Sequence, residues 1–141
     1  MKPATVADDA SVLVESEAGV VAARQTGREL AADLGFSATE QTLIATAISE
    51  IARNIIQYAG KGEIWMTRTQ EDGRLGIKVT AKDQGPGIAD LEQAMRDGFS
   101  TGRGMGLGLP GARRLMDQFH SESEPGHGTT IVMRKWVPTR G

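Results

Sequence analysis

The sequence predicts an α+β layered domain, with helices on one face of a mixed sheet. Three observations carry that expectation. A capped helical segment bears an isoleucine stripe that needs a flat apolar surface to lie on. Two strand-like segments, the second with clear alternation, flank Glu71-Asp72-Gly73, a hairpin turn signal. Two more short strand-like segments follow a glycine-rich middle.

Taken in order, Ser11-Val12-Leu13-Val14-Glu15 reads as a short first strand. The segment from about Gly19 to Leu34 reads as a helix, with Gly35 as its left-handed stop. Ser37-Ala38-Thr39-Glu40 is a capping box, in which Ser37 caps and Glu40 reaches back. The helix it opens should run to about Ala59, where Gly60 ends it. Ile44, Ile48, Ile51 and Ile55 fall on one face at helical spacing. Strands are expected over Glu63–Arg68 and Leu75–Ala81, and Asp83-Gln84-Gly85-Pro86-Gly87 then breaks the pattern into a tight loop. A short helix around Asp90–Arg96 precedes a polar, glycine-rich stretch over Asp97–Met105. Leu107–Phe119 reads as a helix with Leu109, Ala112, Leu115 and Met116 inward. Closing strands are expected near Ser121 and over Thr129–Trp136. Trp65 and Trp136 read as core residues. His120 and His127 read as surface residues with no carboxylate placed to orient either.

A chain of 141 residues suits one domain over its whole length. The formal net charge is −2 with no basic block, which argues against nucleic acid or an anionic membrane as partner. There is no cysteine, so thiolate metal sites and cysteine nucleophiles are excluded. No apolar run approaches the roughly 20 residues of a membrane-spanning helix. A soluble, cytoplasmic protein is the expectation. The unusual count is 18 glycines, concentrated between Gly85 and Gly111.

Three groups of residues can carry chemistry. Glu50 and Asn54 lie four apart on the long helix, so their side chains stack on one face beside the isoleucine stripe. Asparagine offers a neutral oxygen suited to Mg²⁺, and a glutamate one turn away can accept a proton from an attacking hydroxyl. Asp83 ends an apolar strand directly before Gly85 and Gly87. Its carboxylate can accept a hydrogen bond from a donor such as the exocyclic amine of adenine, and Ile88 can cover a face of that ring. Small glycines would let a flat ring approach the backbone. Thr101-Gly102-Arg103-Gly104-Met105-Gly106-Leu107-Gly108-Leu109-Pro110-Gly111 alternates glycine into a helix start. Backbone N–H groups in such a loop make an anion-binding concavity that suits phosphates. Gly106-x-Gly108-x-x-Gly111 matches a dinucleotide fingerprint by letter, but polar loop precedes it where that fingerprint needs a strand. No P-loop sequence is present, and neither is the H-R-D or D-F-G of the protein-kinase fold.

In order, these pieces resemble the GHKL ATPase/kinase superfamily of gyrase, Hsp90, histidine kinases and MutL. Glu50-Ile51-Ala52-Arg53-Asn54 resembles its N box and Asp83-Gln84-Gly85-Pro86-Gly87 its G1 box. Gly104-Met105-Gly106-Leu107-Gly108-Leu109 resembles its G2 box, and Gly126-His127-Gly128-Thr129 the box before its last strand. The resemblance implies the Bergerat fold, a two-layer α/β sandwich with a mixed, mostly antiparallel sheet. It implies ATP and Mg²⁺ as cofactors, with Asn54 on the metal and Asp83 on the adenine amine. Thr129 would support Asp83 through water. Gly104, Gly106 and Gly108, with Met105 and Leu107 between them, would wrap the phosphates as a lid. Arg103 would add a charge at the γ-phosphate.

Ala45–Asn54, Asp97–Thr101 and Leu109–Asp117 are similar to the RsbT-type switch kinases of the stressosome, and the similarity runs from about residue 10 to 136. That similarity implies a serine/threonine kinase acting on STAS-domain partners of the RsbS and RsbR types. Once released from them, it would activate a downstream effector such as a phosphatase. Glu50 would be the catalytic residue. An anti-sigma factor kinase of the same fold, a histidine kinase catalytic domain acting on a separate protein, and an ATP-dependent binding switch without catalysis are the alternatives. Glu50 speaks against the last.

Overall fold

The computed structural model describes residues 10–85, 108–124 and 126–138. Within them the order is β1 (Ala10–Val14), α1 (Glu17–Leu34), α2 (Ala38–Ala59), β2 (Gly62–Glu71), β3 (Arg74–Asp83), α3 (Gly108–Leu115), β4 (Gln118–Glu124) and β5 (Gly128–Trp136). The expected helix over 90–96 lies outside the described residues. So do Gly87, Ile88, Arg103, Gly104, Met105, Gly106 and Leu107.

The local reasons are those the sequence supplies. Gly35 ends α1 in the left-handed region at φ 100°, and its N–H bonds back to the last turn. At the start of α2 the Ser37 hydroxyl accepts from the Glu40 N–H at 3.1 Å, while the Ser37 N–H donates to the Glu40 carboxylate at 3.0 Å. Both halves of the capping box therefore form. Ile44, Ile48, Ile51 and Ile55 are all buried, and they pack with Ile64, Met66, Ile77, Val79, Ile131 and Met133 from the sheet. Each fully buried side chain of that size contributes about 1.5–3 kcal/mol, so this seam between α2 and the sheet is the core of the domain. α2 lies between α1 and α3 in the helical layer.

The sheet runs β1-β2-β3-β5-β4, and all four pairings are antiparallel. A mixed sheet was expected. The crossover from β3 to β4 does bring the chain back in the direction of β3, but one position further out, and β5 fills the gap between them. The parallel strands are thus never neighbours.

The end of one helix, the start of the strand after it and two side chains depart from the sequence reading. The helix expected over Leu107–Phe119 ends at Leu115, and Phe119 is a strand residue opposite Met133. Leu109, Ala112 and Met116 are buried as expected. Trp65 is not in the core: it stands on the sheet face away from the helices, 37 % exposed, with Leu13 on the adjacent strand at 57 %. Ile64 and Met66 take the inward positions on either side, and the pleat leaves Trp65 outward. Trp136 is buried, with the Arg74 guanidinium 4.3 Å from its ring centre. His120 is exposed, but Glu122 does lie 3.0 Å from its Nε2, so a carboxylate neighbour is present after all. No helix among the described residues is long and apolar enough to cross a membrane.

Candidate functional site

Antiparallel pairing gathers the end of β3 and the starts of β2 and β5 at one pole of the sheet. Asp83 is the last residue of β3, opposite Gly62 on one side and Thr129 on the other. Its side chain is 6 % exposed. The Gly85 N–H donates to Asp83 Oδ1 at 3.0 Å, closing an Asx turn, and the Thr129 N–H donates to the same oxygen at 3.2 Å. Two backbone donors on one oxygen fix the carboxylate and leave Oδ2 for a further donor. The Thr129 hydroxyl lies 2.9 Å from the Ser123 hydroxyl of β4. Thr129 thus supports Asp83 directly through its backbone, and Ser123 anchors its side chain.

Glycine at two positions answers to close backbone approach. Gly128 has φ 88°, and a Cβ there would fall on the Asp83 carbonyl oxygen. A Cβ on Gly85 would come within 2.5 Å of the Ala59 Cβ and 3.2 Å of the Tyr58 carbonyl oxygen. Gly85 was expected to clear space for a ring. Its space is taken by the last turn of α2, which the loop after β3 must cross at close range.

That contact brings α2 to the site. Tyr58, Asn54 and Glu50 follow one another at four-residue steps along the same helix face. Asn54 is 7 % exposed and Glu50 7 %. The pair was expected at the edge of the core, and there it is: burial is near complete, yet both stand apart from the isoleucine stripe. Arg53 Nη1 lies 3.8 Å from Glu50 Oε2, and its Nη2 lies 3.9 Å from Glu17 of α1. Gly108 opens α3, which packs against α2.

Sequence reasoning brought Glu50, Asn54, Asp83 and Thr129 to attention, and all four are buried polar residues. It passed over Gly62, Ser123, Arg53 and Glu17. Ser123 was findable only from the strand register, since nothing in the local sequence marks it.

A separate concavity of about 390 Å³ lies at the opposite pole, lined by Arg74, Asp117, Lys135, Trp136 and Pro138 among others. Two of its polar groups tie the end of α3 and the residues just after it to β5. Asp117 accepts the Trp136 N–H at 2.8 Å, and Lys135 Nζ donates to the Leu115 carbonyl oxygen at 3.1 Å. The buried carboxylate, the glycine-bounded turn and the Glu/Asn helix face are all elsewhere.

The two-layer fold with a buried strand-end aspartate, a glycine turn and a Glu-x-x-x-Asn helix defines an ATP-binding domain of the GHKL type. Comparison with known proteins agrees. Residues 39–139 match the family of histidine kinase-, DNA gyrase B- and HSP90-like ATPases, and the chain belongs to that family. It is 51% identical over 130 residues to the serine/threonine-protein kinase RsbT of Bacillus subtilis, covering 92% of this chain and 98% of that one. It is 33% identical over 121 residues to an anti-sigma F factor of Caldanaerobacter subterraneus, covering 82% of this chain and 83% of the relative. A crystal structure of the RsbU and RsbW domains of a Mycobacterium tuberculosis protein superposes with a TM-score of 0.64 at 18% identity, over 94% of this chain and 34% of the other. That likeness speaks to the fold, and the chain spans about a third of the larger protein. By family and by this degree of identity the chain is an ATP-dependent enzyme of the serine/threonine kinase type.

Proposed function

We propose that the protein transfers the γ-phosphate of ATP to a serine or threonine of STAS-domain partners, of the kind found in stressosomes, and that release from them frees it to activate a downstream effector. The observation that carries the nucleotide part is Asp83. A buried carboxylate with one oxygen saturated by backbone N–H groups and the other left to face a donor suits the exocyclic amine of adenine. The observation that carries the kinase part is Glu50, a buried carboxylate one turn from Asn54 on the face leading to Asp83.

The residues also suit Mg²⁺. Magnesium takes hard oxygen ligands, typically one or two from protein and the rest from phosphate and water. The Asn54 carbonyl oxygen is such a donor, buried on the face that leads to Asp83. Bound there, the ion supplies charge neutralisation at the phosphates. Glu50 accepts the proton of the attacking hydroxyl as its oxygen bonds to the γ-phosphorus, and the bond from that phosphorus to the bridging oxygen of ADP breaks. Positioning supplies most of the rate in such transfers, since the protein does little covalent chemistry itself. Gly104, Gly106 and Gly108 offer backbone N–H groups to the phosphates, Met105 and Leu107 lie between them, and Arg103 adds charge. Gly87 and Ile88 complete the adenine side.

The anti-sigma F relatives support a second reading, in which the chain binds and phosphorylates regulators of a sigma factor. One experiment separates the two. The protein is incubated with radiolabelled ATP, Mg²⁺ and either a STAS-domain protein of the RsbS type or a sigma factor with its antagonist, and the labelled residue is identified. Phosphoserine or phosphothreonine on the RsbS-type protein is the expected result. Label on histidine, or ATP consumed without protein label, would overturn the serine/threonine reading.

A further inference from the structure

We infer that Arg53, held by Glu17, is a positioning residue for Glu50. The inference rests on the kinase reading above, in which Glu50 is the proton acceptor. Arg53 presents two different nitrogens to two carboxylates. Nη1 lies 3.8 Å from Glu50 Oε2 on its own helix, and Nη2 lies 3.9 Å from Glu17 Oε2 in the first turn of α1. The Glu50 side chain is 9 % exposed, that of Arg53 42 % and that of Glu17 69 %. The series runs from the buried acid to solvent, and the guanidinium is its middle member.

The two contacts do different work. A contact between residues three apart on one helix is local and leaves the arginine free to swing. The contact to Glu17 crosses from α2 to α1 and restrains that swing. Both distances exceed hydrogen-bond range, so the coupling is one of charge: the planar guanidinium is drawn between two carboxylates, and its charge beside Glu50 Oε2 favours one orientation of that carboxylate. Exposed ion pairs of this length add little to stability. The arrangement therefore matters for where the carboxylate points rather than for whether the domain folds. A proton acceptor misplaced by about 1 Å can cost roughly 100-fold in rate, so a modest restraint has a measurable consequence.

The test is a set of variants measured by steady-state and single-turnover transfer to the unphosphorylated partner, with ATP affinity and Tm read in parallel. Arg53→Ala should lower kcat by about 10- to 100-fold while the Kd for ATP and the Tm stay at wild-type values. Arg53→Lys keeps the charge but not the fork and should be intermediate. Glu17→Gln should lower kcat less than Arg53→Ala. In a Glu50→Gln background the Arg53→Ala substitution should have no further effect, because partners in one unit are not additive. Wild-type kcat in Arg53→Ala, or an equal loss with and without Glu50, would overturn the inference while leaving the kinase reading in place. Loss of Tm or of ATP affinity in step with kcat would assign Arg53 to the fold instead. A wild-type protein that labels no partner sinks the kinase reading, and the role of Arg53 with it.

Discussion

The Thr129 N–H reaches the Asp83 side chain, at 3.2 Å from Oδ1, at the point where β3 and β5 end their pairing. The last rung of the ladder is thus closed by a side chain. The carboxylate is set by the sheet itself, with Gly85 completing the frame from the loop.

This makes Asp83→Asn a selective substitution. The amide oxygen can keep both backbone donors, so the turn and the sheet end survive. The amide nitrogen then stands where Oδ2 stood, and a donor faces a donor. Losing a hydrogen bond to a charged acceptor costs about 1.5–3 kcal/mol, or roughly 10- to 100-fold in ATP affinity. Titration calorimetry with ATP should show that loss at unchanged Tm. Wild-type affinity would refute the adenine assignment.

Gly128 and Gly126 offer a paired test of close approach at the same site. Both have positive φ, 88° and 84°. A Cβ on Gly126 meets nothing within 4 Å, whereas one on Gly128 would fall on the Asp83 carbonyl oxygen. Gly126→Ala should therefore cost only the left-handed backbone penalty, about 1–2 kcal/mol. Gly128→Ala should cost more, and should weaken ATP binding by displacing Asp83. Thermal melts followed by circular dichroism compare the two directly, and equal losses of Tm would remove the argument from contact.

How far the sequence carried depended on whether the signal was local. α2 was legible because its cap, its isoleucine stripe and its stop all lie within one continuous segment. Asp83, Asn54 and Glu50 were legible by residue type and order. The partners of those residues were not. Ser123 meets Thr129 only because β4 pairs with β5, and the position of β5 between β3 and β4 is a nonlocal outcome. Trp65 was misassigned because Ile64-Trp65-Met66 is an unbroken apolar run with no alternation to say which residues face inward. The end of α3 was missed because the run from Leu115 to Phe119 contains no glycine or proline stop. Gly85 was noticed for its turn, while its packing against Ala59 could not be seen until the helix and the loop were placed together.

Asn54→Ala tests the metal role. The side chain is buried, but it lies beside the isoleucine stripe rather than in it, so its removal leaves the core seam intact. In the wild type, Mg²⁺ should raise ATP affinity. In Asn54→Ala that gain should vanish, a loss on the order of tenfold or about 1.4 kcal/mol, while affinity in EDTA persists. Fluorescence titrations with and without Mg²⁺ decide it, and an equal Mg²⁺ dependence in both proteins counts against Asn54 as a ligand.

Glu50→Ala tests the proton acceptor, and the structure makes it interpretable. Removing one member of a buried ion pair is usually damaging, because the other charge is left stranded. Here the other member is Arg53, whose side chain is 42 % exposed and has Glu17 3.9 Å away. The substitution leaves no stranded buried charge on Arg53, so the fold and the nucleotide affinity should hold. Transfer should fall by roughly 10²- to 10⁴-fold, the usual contribution of a positioned general base. Single-turnover labelling of the partner, with ATP affinity measured on the same preparation, gives both numbers. A Glu50→Ala protein that binds ATP and labels at the wild-type rate would mean that the proton goes elsewhere.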